Sequence, residues 1–165
     1  MPHIESSEVF NAVRRGYREL ADASDGEILE FFGAESPESL AGHLANVKGI
    51  LFEQEYLDTL HANGIDAELF EATNHPLSDL RILDGHGEPL EELQLKASSD
   101  PGYIAETLES LPEEIAVVTT SEVAADFPDA VIDSGISDTL LEEVVSETLV
   151  PVSPFSILGA IFGIF

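Results

Sequence analysis

Apolar positions along the chain follow a helical period first and a period of two afterwards. Val9, Phe10, Val13, Tyr17 and Leu20 recur mostly at spacings of three and four, which predicts a helix over 6–22. A short helix over 25–33 follows, with Ile28, Phe31 and Phe32 as its apolar side. Ser36 then precedes Pro37, a hydroxyl cap followed by proline at the first helical position. The helix that starts there is expected to reach Ala62 and stop at Asn63-Gly64.

Beyond this point the pattern alternates. Residues 66–72 and 78–83 read as strands, separated by a turn at Asn74-His75-Pro76. Asp84-Gly85-His86-Gly87 reads as a hairpin turn, because glycine supplies the positive φ such turns need. A third strand is expected over 91–98, and a helix from Asp100-Pro101-Gly102 to about Leu111. Residues 115–119 (IAVVT) are continuously apolar, the mark of a strand buried on both faces. Ser121 is expected to cap a short helix to Phe127, before a short strand at 130–132 and a last helix over 137–148. The whole predicts an α/β domain with one central sheet over 36–149, a helical preface over 1–35, and a separate C-terminal segment, 150–165.

That last segment breaks the pattern. After Pro151 and Pro154, residues 155–165 are apolar except for Ser156, and Gly159 and Gly163 form a GxxxG spacing. A membrane span needs about 17–25 apolar residues. Two readings stay open: a tail tucked against the domain, or the first part of a membrane or glycine-zipper segment in a truncated chain, with a membrane or helix partner.

Charge changes the picture next. The chain has 165 residues, with 33 acids against 6 bases and a formal net charge of −27. Such self-repulsion destabilises a compact chain at low salt, and at about 1 M salt the Debye length falls to ~3 Å and screens it. The acids are spread through every segment, which favours adaptation to a salt-filled cytoplasm over a DNA mimic or an acidic partner-binding face. The bases are Arg14, Arg15, Arg18, Lys48, Arg81 and Lys96, too few for the basic patch of an ordinary DNA-binding protein. No cysteine is present, which excludes disulfides, zinc fingers and a thiol nucleophile. The opening MPHIESSEVF has no basic region or long apolar stretch, so a secretory leader is not expected and a cytoplasmic location is. His3, His43, His61, His75 and His86 show no metal-ligand spacing, and there is no G-x-S-x-G, Walker or GxGxxG motif.

The candidate chemistry lies on the alternating segments. Strand geometry puts Gln94 and Lys96 on one face, with Leu93, Leu95 and Ala97 on the other. The hairpin can bring Asp79 beside Gln94 and Lys96, with Arg81 close enough to neutralise Asp79 in part. On the long helix, Ile50, Glu53, Leu57 and Leu60 share a stripe, so Glu53 faces the core while Glu55 and Asp58 fall outside it. A carboxylate there is costly unless paired or bound to metal. Gly49, about one turn earlier, would let the helix approach another backbone closely. The bland alternative makes Asp79 a turn cap and Gln94 and Lys96 a solvated face, and pairs Glu53 with Lys48.

A helix glutamate, a strand aspartate, a hairpin, Gln-x-Lys, then a helix and a buried strand resemble the PD-(D/E)XK nuclease superfamily. Here the residues are Glu53, Asp79 and Gln94-Leu95-Lys96, with fourteen residues between Asp79 and Gln94. The likeness covers about residues 37–125. Glutamine in the last triplet is similar to the Mrr-type restriction endonuclease branch, and Ser78 stands before the aspartate. The resemblance implies an αβββαβ restriction-endonuclease-like core, with a central mixed sheet flanked by helices. It implies Mg²⁺ (or Mn²⁺) held by Asp79, the Gln94 side-chain oxygen, the Leu95 carbonyl and Glu53, with Lys96 acting on the attacking water. Phosphodiester cleavage of nucleic acid, with a homodimer common in the class, would follow. A binding module of the same fold without catalysis is the other function class.

Overall fold

A computed structural model describes residues 3–70 and 78–151. It is an α/β fold: six helices around an open, mixed sheet of five strands. The chain runs through α1 (Ser6–Gly16), a short 3₁₀ turn (Arg18–Leu20), α2 (Asp25–Gly33) and α3 (Pro37–Ala62). Then come β1 (Ala67–Leu69), β2 (Leu80–Leu83), β3 (Pro89–Lys96), α4 (Pro101–Ser110), β4 (Ile115–Thr119), α5 (Ser121–Ala124), β5 (Ile132–Asp133) and α6 (Asp138–Leu149). Strands follow one another in chain order across the sheet. The first three pair antiparallel, and β3–β4 and β4–β5 pair parallel. The parallel connections pass through helices, as parallel pairing requires.

The caps behave as their chemistry dictates. Ser36 accepts from Ser39 N ahead of Pro37, and Asp100 accepts from Gly102 N ahead of α4. At the β2–β3 turn, Asp84 Oδ1 takes the N–H groups of His86 and Glu88, and Gly87 sits at φ 80°. Two expectations about helix ends need correction. The helix predicted over 6–22 ends at Gly16, because Tyr17 turns extended (φ −121°, ψ 103°). There its ring packs edge-on against Phe31 and Phe32, and its hydroxyl meets His43 Nδ1 at 2.8 Å. Burying that aromatic cluster outweighs one more helical turn. The cap of α5 is Thr120 rather than Ser121; Ser121 Oγ donates instead to Asp133 beside β5.

The core lies between α1, α2, α3, α6 and one face of the sheet. Val9, Val13, Ile28, Phe32, Leu51 and Phe52 meet Leu80, Leu93 and Val118 there, all essentially buried. The helical preface thus packs into the domain's own core. Close approach occurs at Gly16, where a Cβ would overlap Ile50 Cδ1 of α3. Gly49 does not serve that purpose: a Cβ there meets nothing within 4 Å. No helix among the described residues is long and apolar enough to cross a membrane. Asn74-His75-Pro76 and the apolar stretch 155–165 lie outside the described residues.

Candidate functional site

The β2–β3 register decides which side chains meet. Leu80 opposes Leu93 and Arg81 opposes Glu92, so Asp79, just ahead of β2, comes level with Gln94. Its backbone N–H donates to Leu93 O at 2.8 Å, which ties the residue to β3. The carboxylate turns to the same strand. Asp79 Oδ2 accepts from Gln94 Nε2 at 2.6 Å and from Leu95 N at 2.9 Å. Gln94 is only 8% exposed, so it does not lie on a solvated strand face. Lys96 ends β3, with its Nζ 5.5 Å from the Tyr103 ring centroid.

Glu53 reaches the same place from α3. Its neighbours on the stripe, Ile50 and Leu60, are buried, and the Glu53 side chain keeps 14% of its exposure. Burial, and then the negative charge of Asp79, push its pKa up to about 7, although Arg15 and Lys96 pull the other way. Its ion-pair partner is Arg15 of α1, whose Nη1 stands 3.1 Å from Glu53 Oε2. Lys48 is not that partner. Its Nζ lies 3.0 Å from both Asp138 and Glu142 of α6. Arg81 does not serve Asp79 as an ion-pair partner either: it pairs with Glu68 across the β1–β2 ladder.

Glu53, Asp79, Gln94 and Lys96 all line one open cavity of about 430 Å³. The cavity also has Lys48, Asn46 and Tyr103 in its walls, so both lysines of the chain face one space. Among the described residues Lys96 makes no ion pair, whereas Lys48 makes two. Sequence reasoning missed Asn46 and Tyr103 in the cavity walls and Arg15 beside Glu53, and named Lys48 only as a partner for Glu53. The rarity of lysine was a usable signal for Lys48. Arg15 carried none, since it lies 38 residues from Glu53 and meets it only through helix packing.

Glu53, Asp79 and the Leu95 carbonyl offer hard oxygen, the kind that suits Mg²⁺ or Mn²⁺, whereas Gln94 turns its amide nitrogen toward Asp79 and the Leu95 carbonyl. Two carboxylates sharing a desolvated corner, one of them shifted up to about 7, also make a place where a cation would relieve repulsion. Among the described residues, the one group of three acids with ligand atoms within 4.8 Å of each other lies elsewhere, at Glu8, Glu55 and Asp58. There burial, then the Glu8 carboxyl, raise Glu55 to about 8, as expected of carboxyls sharing a proton. His43 and His61 take structural parts: His43 bonds Tyr17, and His61 Nε2 meets Ala67 O at 2.8 Å. Comparisons with family models, with curated proteins and with solved structures find no match to the chain.

Proposed function

We propose that the chain is a metal-dependent phosphodiesterase acting on nucleic acid at high salt, built on the PD-(D/E)XK plan. The observation that carries this reading is the meeting of Glu53 from α3, Asp79 from just ahead of β2, and Gln94 and Lys96 from β3 around one cavity. The element order α3–β1–β2–β3–α4–β4 supports the finer reading of the fold as an αβββαβ core.

In this reading Asp79, Glu53 and the Leu95 carbonyl would hold Mg²⁺ or Mn²⁺, and the Gln94 side-chain oxygen would join them once its amide turns over from Asp79. A cation so held lowers the pKa of water and polarises the phosphate. The chain's own groups do the rest. The Gln94 and Leu95 N–H groups hold Asp79 Oδ2, fixing the carboxylate before any ligand arrives. Arg15 holds one oxygen of Glu53. The Lys96 ammonium orients the attacking water and meets charge building on the phosphate oxygens. Water adds to phosphorus, the bond to the leaving sugar oxygen breaks, and the proton that the attacking water sheds passes through solvent to that leaving oxygen.

A net charge of −27 repels a polyanion at low salt. At molar salt that repulsion is screened within ~3 Å, so the enzyme would work where its own solvent adaptation operates. The test is nicking of supercoiled DNA, and cleavage of RNA, at molar KCl with Mg²⁺ or Mn²⁺. Cleavage is expected, with Asp79→Ala and Lys96→Ala slower by at least ~100-fold.

A second reading, a nuclease-fold binding module without catalysis, has its own observation. Gln94 already donates to Asp79, and Arg15 to Glu53, so the chain supplies partners to both carboxylates. Absence of cleavage on both polymers at every salt and metal tried would favour it.

A further inference from the structure

Tyr103 stands in the first turn of α4 and lines the cavity with Asp79 and Lys96. It keeps 42% of its surface exposed, whereas Tyr17 and Tyr56 keep 8% and 7%. Among the described residues it is the one exposed tyrosine or phenylalanine. Its backbone is set by the Asp100 cap and by Pro101, and its carbonyl accepts from Thr107 Oγ1 at 3.0 Å. Lys96 lies over its ring. Among the described residues, the one exposed tyrosine or phenylalanine ring is thus anchored against the ammonium assigned to the phosphate.

What such a ring can do follows from the solvent. Each phosphate neutralised by a base costs affinity as salt rises, so ionic contacts give little at molar salt. Stacking of a base on an aromatic ring releases no counterions and tolerates any base. A duplex offers little to this site. It carries twice the axial charge density of a single strand, and its bases are already stacked on each other.

We propose that Tyr103 is the stacking platform for an unpaired base, and that the substrate of this site is a single-stranded polynucleotide. The proposal rests on the nuclease reading of the cavity and adds its substrate class. The test is the affinity of fluorescent oligothymidylate and oligouridylate, a duplex, and an abasic strand of equal length, at molar KCl with Ca²⁺. Base-containing strands are expected to bind more tightly than the duplex or the abasic strand. Tyr103→Ala is expected to weaken base-containing strands by roughly 5- to 150-fold and leave the abasic strand unchanged, while Tyr103→Phe keeps wild-type affinity. Equal binding of strand and abasic control, or tighter binding of the duplex, overturns it. Cleavage in Mg²⁺ together with an unchanged affinity in Tyr103→Ala sinks the stacking and spares the nuclease reading. Stacking-dependent binding without cleavage by the wild type does the reverse, and no binding with no cleavage overturns both.

Discussion

Glu53 is a carboxyl held partly against its own ionisation. Its folded pKa of about 7 lies above the ordinary value of 4.5, so between these the native state binds more protons than the unfolded one. The stability this group contributes is complete below 4.5 and is lost as pH rises through about 7. Without metal, the melting temperature is therefore expected to fall across that window, and less so in Glu53→Gln; identical pH profiles would contradict the assignment. A cation must displace that proton, so Mn²⁺ binding should strengthen as pH passes about 7. Arg15→Ala removes the one ion pair that lowers this pKa directly and should shift the binding profile to higher pH, with Arg15→Lys restoring part of it. At this scale Glu53 could be singled out in the sequence, because a carboxylate in an apolar stripe is a conflict needing a cause. Arg15 could not, because α1 names no partner until it is packed on α3.

Among the elements, the start of α6 is anchored both by the side chains around Asp138 and by Glu122. Asp138, 1% exposed, takes Ser99 Oγ at 2.7 Å on one oxygen and stands 3.0 Å from Lys48 Nζ with the other. This joins α3, the segment after β3 and α6 beside the cavity. Removing one partner of a buried charged pair leaves the other uncompensated, so Asp138→Ala is expected to cost about 3 kcal/mol in urea unfolding. A loss below about 1 kcal/mol would mean that solvent already screens the pair. Glu122 of α5 caps the same helix. Burial pushes its pKa up, but the N–H groups of Thr139 and Asp138 and the Ser137 hydroxyl outweigh this and hold it at about 2. Its folded pKa is depressed, so its contribution is present above about 4.5 and lost as pH falls through about 2. Glu122→Gln should flatten acid unfolding in that range. Most elements were legible in the sequence, because Ser36-Pro37, Asn63-Gly64, the Asp84–Gly87 turn and IAVVT are local signals. The break at Tyr17 and the Thr120 cap were not. Each depends on contacts distant in sequence: the ring cluster around Tyr17, and Thr120 Oγ1, which accepts from Ser98 N and donates to Ser98 O.

The whole molecule sets acid almost everywhere and both lysines at one cavity. The excess acid should make folding depend on salt. The melting temperature is expected to rise with KCl and level off near ~1 M, where the Debye length nears ~3 Å; a flat response would remove the halophilic account. The pattern also explains why bulk charge misleads about function. It argues against any polyanion ligand, while both lysines, located one by one, line the cavity where a phosphate would be held in the proposed reading. The account stands or falls on where a divalent cation binds. Mn²⁺ titration at molar KCl, read by electron paramagnetic resonance, should find a site that Asp79→Ala abolishes and Glu55→Gln leaves intact. Binding that survives Asp79→Ala and disappears in Glu55→Gln would move the metal to the Glu8–Glu55–Asp58 cluster and contradict the proposed active site.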